Sequence, residues 1–212
     1  HSKTNNVAWL EKCVDALEKE YAFWMQGAEE LTNEKTALRR VVKMPCGGKL
    51  NRYWDDEATP RAESLREDLA LAEGLAEHKK PDFYRHIRAA CESGWDFSSR
   101  WLAEPNSLSS IQTTDIIPID LNCLLYNLEK QLSKFNKLLG NSQQADLFSD
   151  YAAARRTLIN KYMWSEQQHF FVDYNHHKAS QSKVLSAAAS TALFFNLASE
   201  QQAQHIAERL SR

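Results

Sequence analysis

The sequence has no long apolar segment and no excess of charge of either sign. No run of about 18 apolar residues occurs, so no segment predicts a membrane-spanning helix. The N-terminal stretch HSKTNNVAWLEK lacks the basic and then apolar pattern of a secretory signal peptide. The formal net charge of −2 provides no general attraction to nucleic acid or to an anionic membrane. We therefore expect no nucleic-acid partner and no membrane association, and we favour a cytoplasmic location while leaving a periplasmic one open.

Cysteine pairs at metal-ligand spacing are also missing. The sequence has four widely separated cysteines, namely Cys13, Cys46, Cys91 and Cys123. Their spacing argues against a zinc site and against a small disulfide framework. Reduced thiols are expected, because a chain of this length can bury a core without crosslinks. His176 and His177 are adjacent but have no carboxylate or cysteine at ligand spacing, so the sequence predicts no metal and no cofactor.

Apolar residues at three- and four-residue spacing predict a mainly helical chain. The strongest amphipathic pattern runs from Leu121 to Leu139 and ends at Gly140, which favours a helix terminus. In contrast, RRVVKMPCGGKLNRYW has two extended runs around a Pro-Cys-Gly-Gly turn, which predicts a β-hairpin near residues 38–53. HFFVDYN is either irregular or a brief strand. The predicted helices cover about 7–24, 64–76, 82–92, 121–139, 143–163, 186–197 and 199–210.

The loops between these helices share an unusual composition. Carboxylate, amide or guanidinium groups are combined with aromatic residues or proline in NRYWDD (51–56), TPRAES (59–64), SGWDFSSRW (93–101) and TTDIIPIDLN (113–122). A pyranose has apolar C–H faces that stack on aromatic rings and hydroxyls that need polar groups in fixed positions. The loop composition therefore indicates the wall of a sugar site.

Asp96 is the candidate proton donor of such a site. It lies between Trp95 and Phe97, and an acid flanked by aromatic side chains is expected to be poorly hydrated and to hold its proton. Glycosidic cleavage requires one protonated carboxyl group and one ionised carboxyl group. A single Trp-Asp pair is more often a packed turn, so the assignment depends on the neighbouring motifs.

Three of these motifs together resemble a known family. NRYWDDEATPRAES, then SGWDFSSRW about thirty residues later, then IQTTDIIPIDLN resemble the middle of the trehalases, which are inverting glycosidases that hydrolyse α,α-trehalose. The resemblance runs from about residue 9 to residue 200. It implies an all-α fold, a partial (α/α)6 barrel with the catalytic cleft at one end, and trehalose or another glucose-type sugar as the partner. It also implies that residues 1–212 form one incomplete catalytic domain.

The resemblance assigns roles to particular residues. The family's catalytic acid falls on Asp96, and a backbone position that contacts substrate falls on Gly94. The substrate-binding Arg-x-Glu segment falls on Arg61, Ala62 and Glu63. Trehalases usually have proline where this chain has Ala62, so we expect the loop that carries Arg61 to be less firmly held.

Other trehalase signatures are absent from the chain. The family pattern includes an earlier Pro-Gly-Gly-Arg-Phe segment and a later Gln-Trp-Asp-x-Pro-x-Gly-Trp segment with the catalytic base beyond it, and neither occurs here. The resemblance therefore implies an internal fragment that lacks the base and is inactive alone. The remaining acids resemble structural or sugar-binding positions, and they are Asp55, Asp56, Glu63, Asp115 and Asp120.

A fragment of a closed barrel would expose the apolar faces of its terminal helices. We therefore expect a homodimer formed through these edges. The edge residues are Leu10, Leu17 and Tyr21 at one end and Leu193, Phe194 and Phe195 at the other.

Several other interpretations of the sequence remain open. The chain could belong to a related α-glucosidase of the same barrel type, or it could be a non-catalytic helical module that binds a partner. Arg61 could simply pair with Glu63. Asp120 and Asn122 could cap a helix as readily as they could bind sugar.

Overall fold

The computed structural model describes residues 6–211, which form seven α-helices and eight short β-strands. The helices are α1 (Val7–Trp24), α2 (Leu65–Ala72), α3 (Lys80–Ser93), α4 (Ile119–Leu138), α5 (Ser142–Met163), α6 (Ser190–Phe194) and α7 (Glu200–Leu210). The strands are β1 (Ala37–Leu38), β2 (Val41–Lys43), β3 (Lys49–Asn51), β4 (Ile116–Ile117), β5 (Trp164–Ser165), β6 (Phe170–Phe171), β7 (Tyr174–Asn175) and β8 (Ser180–Gln181). The expectation of a mainly helical chain is confirmed.

The predicted β-hairpin is present and gains a third strand. β2 pairs antiparallel with β3, so that Val42 lies opposite Leu50, and β1 pairs with the other edge of β2. Two further antiparallel sheets were not predicted, one with the order β4-β7-β8 and one formed by β5 and β6. Both use strands from HFFVDYN, because that segment contributes β6 to one sheet and β7 to the other.

The long helices α4 and α5 form the centre of the fold. They are joined by a tight connection in which Gly140 has φ +82°, a conformation that glycine adopts without a steric cost. α4 also contacts α1 and α6. Its apolar residues do not all face the core, because Leu121, Leu125 and Leu132 are buried whereas Leu124 is 47% exposed. The Leu121–Leu139 pattern therefore predicts the helix correctly, but the apolar surface of this helix extends beyond its buried face.

One predicted helix is largely missing from the structure. The stretch 186–197 was expected to be one helix but contains only a 3-10 turn and the short helix α6. Asn196 has φ +54° there, and the Leu197 N–H donates to Ala192 O at 2.9 Å, so the chain turns back instead of continuing. By contrast, the helix predicted over 199–210 is present as α7, and Ser199 caps it through a reciprocal pair of hydrogen bonds with Gln202.

The expected barrel edges are exposed to different degrees. Leu10 is completely buried, so its assignment to an edge is wrong. Leu17 and Tyr21 are half-buried, whereas Phe194 is 80% exposed. Within residues 6–211, no helix combines the length and the hydropathy needed to cross a bilayer.

Candidate active site

The segment SGWDF forms a tight turn at the C-terminal end of α3. Gly94 ends the helix with φ +70°, and its N–H donates to Cys91 O at 3.2 Å. The chain then turns, with the Ser98 N–H donating to Trp95 O at 3.0 Å. Phe97 lies inside this turn with φ +60°, a conformation that costs on the order of 1 kcal/mol for a residue with a Cβ atom. Contacts on both sides of the turn must hold this conformation.

Arg100 is the anchor on one side. Its side chain is fully buried, and Nη2 donates to Asp120 Oδ1 at 2.8 Å and to Asp173 Oδ1 at 2.7 Å. Burial opposes the charged form, but the two carboxylates outweigh it and raise the pKa of Arg100. Asp173 Oδ1 also accepts the Ile119 N–H at 2.9 Å, so the second acid is stabilised by the first turn of α4.

The two tryptophans of the motif are also part of the scaffold. Trp101 is completely buried, and its indole N–H donates to Trp95 O at 2.8 Å. The Arg100 guanidinium lies 4.5 Å from the Trp101 ring centroid and 5.1 Å from that of Trp95. Trp95 packs against two separate core clusters, whereas Asp96 is exposed. The expectation that the flanking aromatic residues keep water away from Asp96 is therefore wrong, because the Trp95 side chain belongs to the core.

Arg61 is held firmly beside this turn. It donates from Nε to Asp68 Oδ2 at 3.1 Å and from Nη2 to Asp68 Oδ1 at 2.7 Å, and its backbone N–H also donates to Asp68. The hydrogen bonds to Asp68 raise the pKa of Arg61. Pairing with Glu63 is therefore wrong, whereas the looser loop expected from Ala62 stays a prediction. The partner is a buried acid on α2 that fixes the guanidinium from two sides.

The same guanidinium connects Arg61 to the turn that carries Asp96. It lies 5.2 Å from the Phe97 ring centroid, and Nη1 donates to Cys91 Sγ at 3.2 Å. Burial raises the pKa of the Cys91 thiol, the positive charge of Arg61 lowers it, and the negative charge of Asp96 raises it again. Arg61 and Asp96 thus both affect the pKa of the Cys91 thiol at the end of α3.

The remaining predicted site residues, Gly94, Ala62 and Glu63, are exposed. Gly94 is exposed at the start of the turn, and Ala62 and Glu63 are exposed in a 3-10 turn between Arg61 and α2. The structure therefore brings Asp96, Gly94 and Arg61 to one place and puts Ala62 and Glu63 next to Arg61 in the chain.

Four of the other acids considered for the site have basic partners. The distances are 3.1 Å for Asp55 to Arg88, 3.2 Å for Asp56 to Arg39, 3.5 Å for Asp115 to His177 and 2.8 Å for Asp120 to Arg100. Within residues 6–211, Asp96 and Glu63 are the two acids of this group without an ion pair within 4.0 Å. These pairings leave the exposed turn and the Arg61 loop as the chemically available part of the motifs.

Asp120 and Asn122 have structural contacts of a kind that the sequence did not indicate. Neither caps α4, because Asp120 binds Arg100, and Asn122 exchanges hydrogen bonds with the Asn51 backbone at 2.9 Å in both directions. Each contact joins segments far apart in the chain, so local spacing could not predict it.

The adjacent histidines also have protein partners. His176 Nε2 lies 3.2 Å from Arg52 Nη1, and His177 contacts Asp115. Burial and the charge of Arg52 lower the pKa of His176 to about 3, so the ring stays neutral. In the part of the chain that the structure describes, no three His, Cys, Asp or Glu side chains are placed to hold a metal ion.

Similarity to known proteins shows which family this chain belongs to. The family model described as Trehalase matches residues 1–212. This chain belongs to the trehalase family. The periplasmic trehalase of Citrobacter koseri is 42% identical over 198 residues, which cover 93% of this chain and 35% of that protein. The periplasmic trehalase of Escherichia coli O1:K1 is 40% identical over 200 residues, covering 94% and 35%.

A solved structure supports the relationship at the level of the fold. The neutral trehalase Nth1 of Saccharomyces cerevisiae superposes with a TM-score of 0.60 at 25% identity, covering 82% of this trehalase-family chain and 35% of that protein. The chain therefore spans about 35% of the length of the relatives it matches.

Proposed function

We propose that this chain carries the acid side of a trehalose-hydrolysing site. Asp96 would protonate the glycosidic oxygen, while Arg61, Glu63 and the backbone at Ala62 and Gly94 would hold the sugar. The observation that carries this proposal is the contact between the Arg61 guanidinium and Phe97, 5.2 Å apart, which joins two loops of different sequence motifs beside the exposed Asp96. An exposed acid next to a fixed guanidinium matches what a sugar hydroxyl and a leaving oxygen require.

Hydrolysis with inversion also needs a base on the far side of the sugar. The two carboxyl groups of such a site are roughly 6.5–9.5 Å apart, which leaves room for a water molecule. Asp55, Asp56, Asp115 and Asp120 are engaged by basic partners, and the resemblance assigns Glu63 to sugar binding. We therefore propose that residues 1–212 do not include the base, and that the isolated chain hydrolyses trehalose little or not at all.

The test is an assay of glucose release from trehalose by the isolated chain, with a periplasmic trehalase as the reference. Loss of one acid–base group lowers a rate by about 10²- to 10⁴-fold, so activity at least about a hundredfold below the reference is expected. A rate equal to that of the reference enzyme would place the base within this chain.

We further infer that residues 1–212 form one domain and that its helices are part of an (α/α)6 barrel. The tight connection between α4 and α5 and the similarity to Nth1, with a TM-score of 0.60, support this inference. The relatives at 40–42% identity are named periplasmic trehalases, so we propose a periplasmic location for this protein in place of the cytoplasmic one.

The exposed apolar side chains support a homodimer through the terminal helices. Phe194 is 80% exposed, and Trp9 on α1 is 53% exposed, and such side chains are rarely left uncovered in groups. Light scattering coupled to gel filtration should give twice the 24.4 kDa mass of the chain. A single species at the mass of one chain would rule out the dimer.

A further inference from the structure

Within residues 6–211 three arginines are buried, and they differ in whether a carboxylate accompanies them. Arg100 lies between two carboxylates, and Arg155 pairs with one. Arg52 is 5% exposed, yet in this part of the chain no carboxylate oxygen lies within 4.0 Å of its guanidinium nitrogens. Buried charges are normally paired, because removing a charge from water without a partner is costly. Arg52 is therefore a buried cation whose counter-ion is missing from the described residues.

The hydrogen bonds of Arg52 leave one of its terminal nitrogens available. Nε donates to Arg39 O at 2.8 Å, and Nη1 donates to Thr114 O at 2.7 Å and lies 3.2 Å from His176 Nε2. Nη2 has no hydrogen bond among the described residues. Because Nη2 is also not one of the buried polar atoms that lack a partner, it is open to solvent. Its two N–H groups can therefore donate to a ligand.

A second guanidinium lies against the same indole ring as Arg52. The Cζ atoms of Arg52 and Arg85 are 4.5 Å and 4.6 Å from the centroid of the Trp54 ring. Arg85 donates to the backbone oxygens of residues 55–56 at 3.1 Å and 3.5 Å. Its Nη1 lies 3.6 Å from Asp82 Oδ1, which is too far for a hydrogen bond. The Trp54 ring thus holds two cations close together, and only Arg85 has a carboxylate within 4.0 Å.

The charges around Arg52 favour a partner with one negative charge. Burial lowers the pKa of Arg52 to about 10, the negative charge of Asp115 opposes this, and the positive charge of Arg85 adds to it. Asp115 is more than 4.0 Å from Arg52 and contacts His177 at 3.5 Å, so it gives Nη2 no acceptor. An anion bound at Nη2 would offset both the burial and the repulsion between the two guanidinium groups. A single negative charge is sufficient, because Asp82 and Asp115 already offset part of the positive charge.

We propose that Arg52 and Arg85 bind one carboxylate group beside Trp54. The two oxygens of a carboxylate accept charge-assisted hydrogen bonds from guanidinium N–H groups, whereas a neutral sugar would leave the buried charge uncompensated. The carboxylate belongs either to a free small acid or to a protein segment outside this chain, which spans about 35% of the length of its relatives. This inference does not depend on the role proposed for Asp96.

The test is an NMR titration of the 212-residue chain with sodium formate, at an ionic strength kept constant with sodium chloride. The Trp54 indole N–H, which donates to Asp56 Oδ1 at 3.0 Å, reports binding. Formate should shift this signal in a saturable way. Arg52→Met should abolish the shift, and Arg85→Met should weaken the affinity severalfold. Arg66→Met is the matched control and should leave the shift unchanged, because Arg66 is exposed on α2.

Further measurements separate this site from the sugar site and from general effects of formate. Asp96→Asn should keep the formate shift, and glucose should not move the Trp54 signal. The Trp101 indole lies against the fully paired Arg100, so its signal should not respond to formate. Circular dichroism shows whether each variant is folded. The proposal is overturned if formate gives no saturable shift at Trp54, if Trp101 responds equally, or if the affinity is unchanged in folded Arg52→Met or folded Arg85→Met.

The source of the carboxylate is tested in a chimera, in which this chain replaces the matching 200 residues of the Escherichia coli O1:K1 periplasmic trehalase. If another segment of the longer protein supplies the carboxylate, the Trp54 signal should already lie at its formate-bound position and should not move when formate is added. If the ligand is a free acid, formate should shift the signal as it does in the isolated chain. A signal that lies at the unbound position and does not respond to formate would overturn the proposal.

Discussion

Arg100 and Arg61 come from neighbouring motifs but lie in contrasting surroundings. The Arg100 side chain is fully buried between two carboxylates and two tryptophan rings. Arg61 is 11% exposed, has one carboxylate partner, and lies against the ring of Phe97 beside the exposed Asp96. Arg100 fixes the shape of the turn, whereas Arg61 is placed at its outer side. The contrast shows that two arginines from neighbouring motifs differ in their structural roles, since one lies inside the scaffold and the other at the side of the turn that carries the exposed Asp96.

This contrast also explains why Asp96 is the available acid. Asp120 and Asp173 share the Arg100 guanidinium and are almost completely buried. Asp68 is completely buried against Arg61. Asp96, in contrast, is exposed and has no ion pair within the described residues. Among the described acids of these motifs, the paired ones hold the fold, whereas Asp96 and Glu63 have no ion pair within 4.0 Å.

The largest effect is expected from removing the buried cation. Arg100→Met would leave Asp120 and Asp173 buried without a positive charge, so the free energy of unfolding should fall by about 3–5 kcal/mol. Urea unfolding measures this difference. Asp173→Asn in the Arg100→Met background should recover part of the loss, because it removes one of the two stranded charges. A loss below about 1 kcal/mol for Arg100→Met would contradict the scaffold role.

A smaller effect is expected at the outer arginine. Arg61→Met leaves Asp68 buried, but that carboxylate keeps the hydrogen bond from the Arg61 backbone at 2.8 Å. The free energy of unfolding should fall by about 1–3 kcal/mol. Arg66→Met is the control, because Arg66 is exposed on α2 and should be nearly neutral. A cost equal to that of Arg100→Met would break the distinction between the two arginines.

A third prediction concerns His176, which stays neutral beside the buried Arg52. Burial and Arg52 lower the pKa of His176 to about 3, below the ordinary value of about 6.5. As the pH falls, His176 is therefore protonated in the unfolded chain before it is protonated in the folded chain. The stability that neutral His176 contributes is complete above about pH 6.5 and is lost as the pH falls toward 3. Between pH 6.5 and 4.5 the free energy of unfolding should fall by roughly 2 kcal/mol through this residue.

Urea unfolding at several pH values tests the His176 prediction. His176→Gln should flatten the acid side of the pH profile. Equal slopes for the wild type and His176→Gln would show that His176 is not the titrating group.

The smallest effect on stability is expected at Asp96. Its side chain is exposed and has no ion pair among the described residues, so Asp96→Asn should change the free energy of unfolding by less than about 0.5 kcal/mol. Thermal or urea unfolding of the two proteins measures this. A destabilisation above about 2 kcal/mol would make Asp96 a member of the scaffold.

Features that depend on residues close together in the chain could be predicted from the sequence. Helical spacing predicted α1, α3, α4 and α5 closely, and the Pro-Cys-Gly-Gly turn predicted the pairing of β2 with β3. Loop composition and the resemblance directed attention to Asp96 and Arg61, which the structure brings to one end of α3.

The sequence was not sufficient where the fold departs from local pattern. On α2 the buried face carries Asp68, while Leu65 and Leu69 are about half exposed, so apolar spacing does not reveal the partner of Arg61. Arg100 and Asp173 are 73 residues apart in the chain, and no short motif connects them. The exposure of Asp96 also depends on where the Trp95 side chain packs, which only the tertiary structure determines.

The most direct test of the central claim is the activity of a chimera. This chain would replace the matching 200 residues of the Escherichia coli periplasmic trehalase, to which it is 40% identical, and glucose release from trehalose would be measured. The chimera should be active, and Asp96→Asn in it should lower kcat by about 10²- to 10⁴-fold with little change in KM. Asp146→Asn, at an exposed acid on α5, is the control. A folded Asp96→Asn chimera with the full kcat of its parent would contradict the assignment of Asp96 as the catalytic acid.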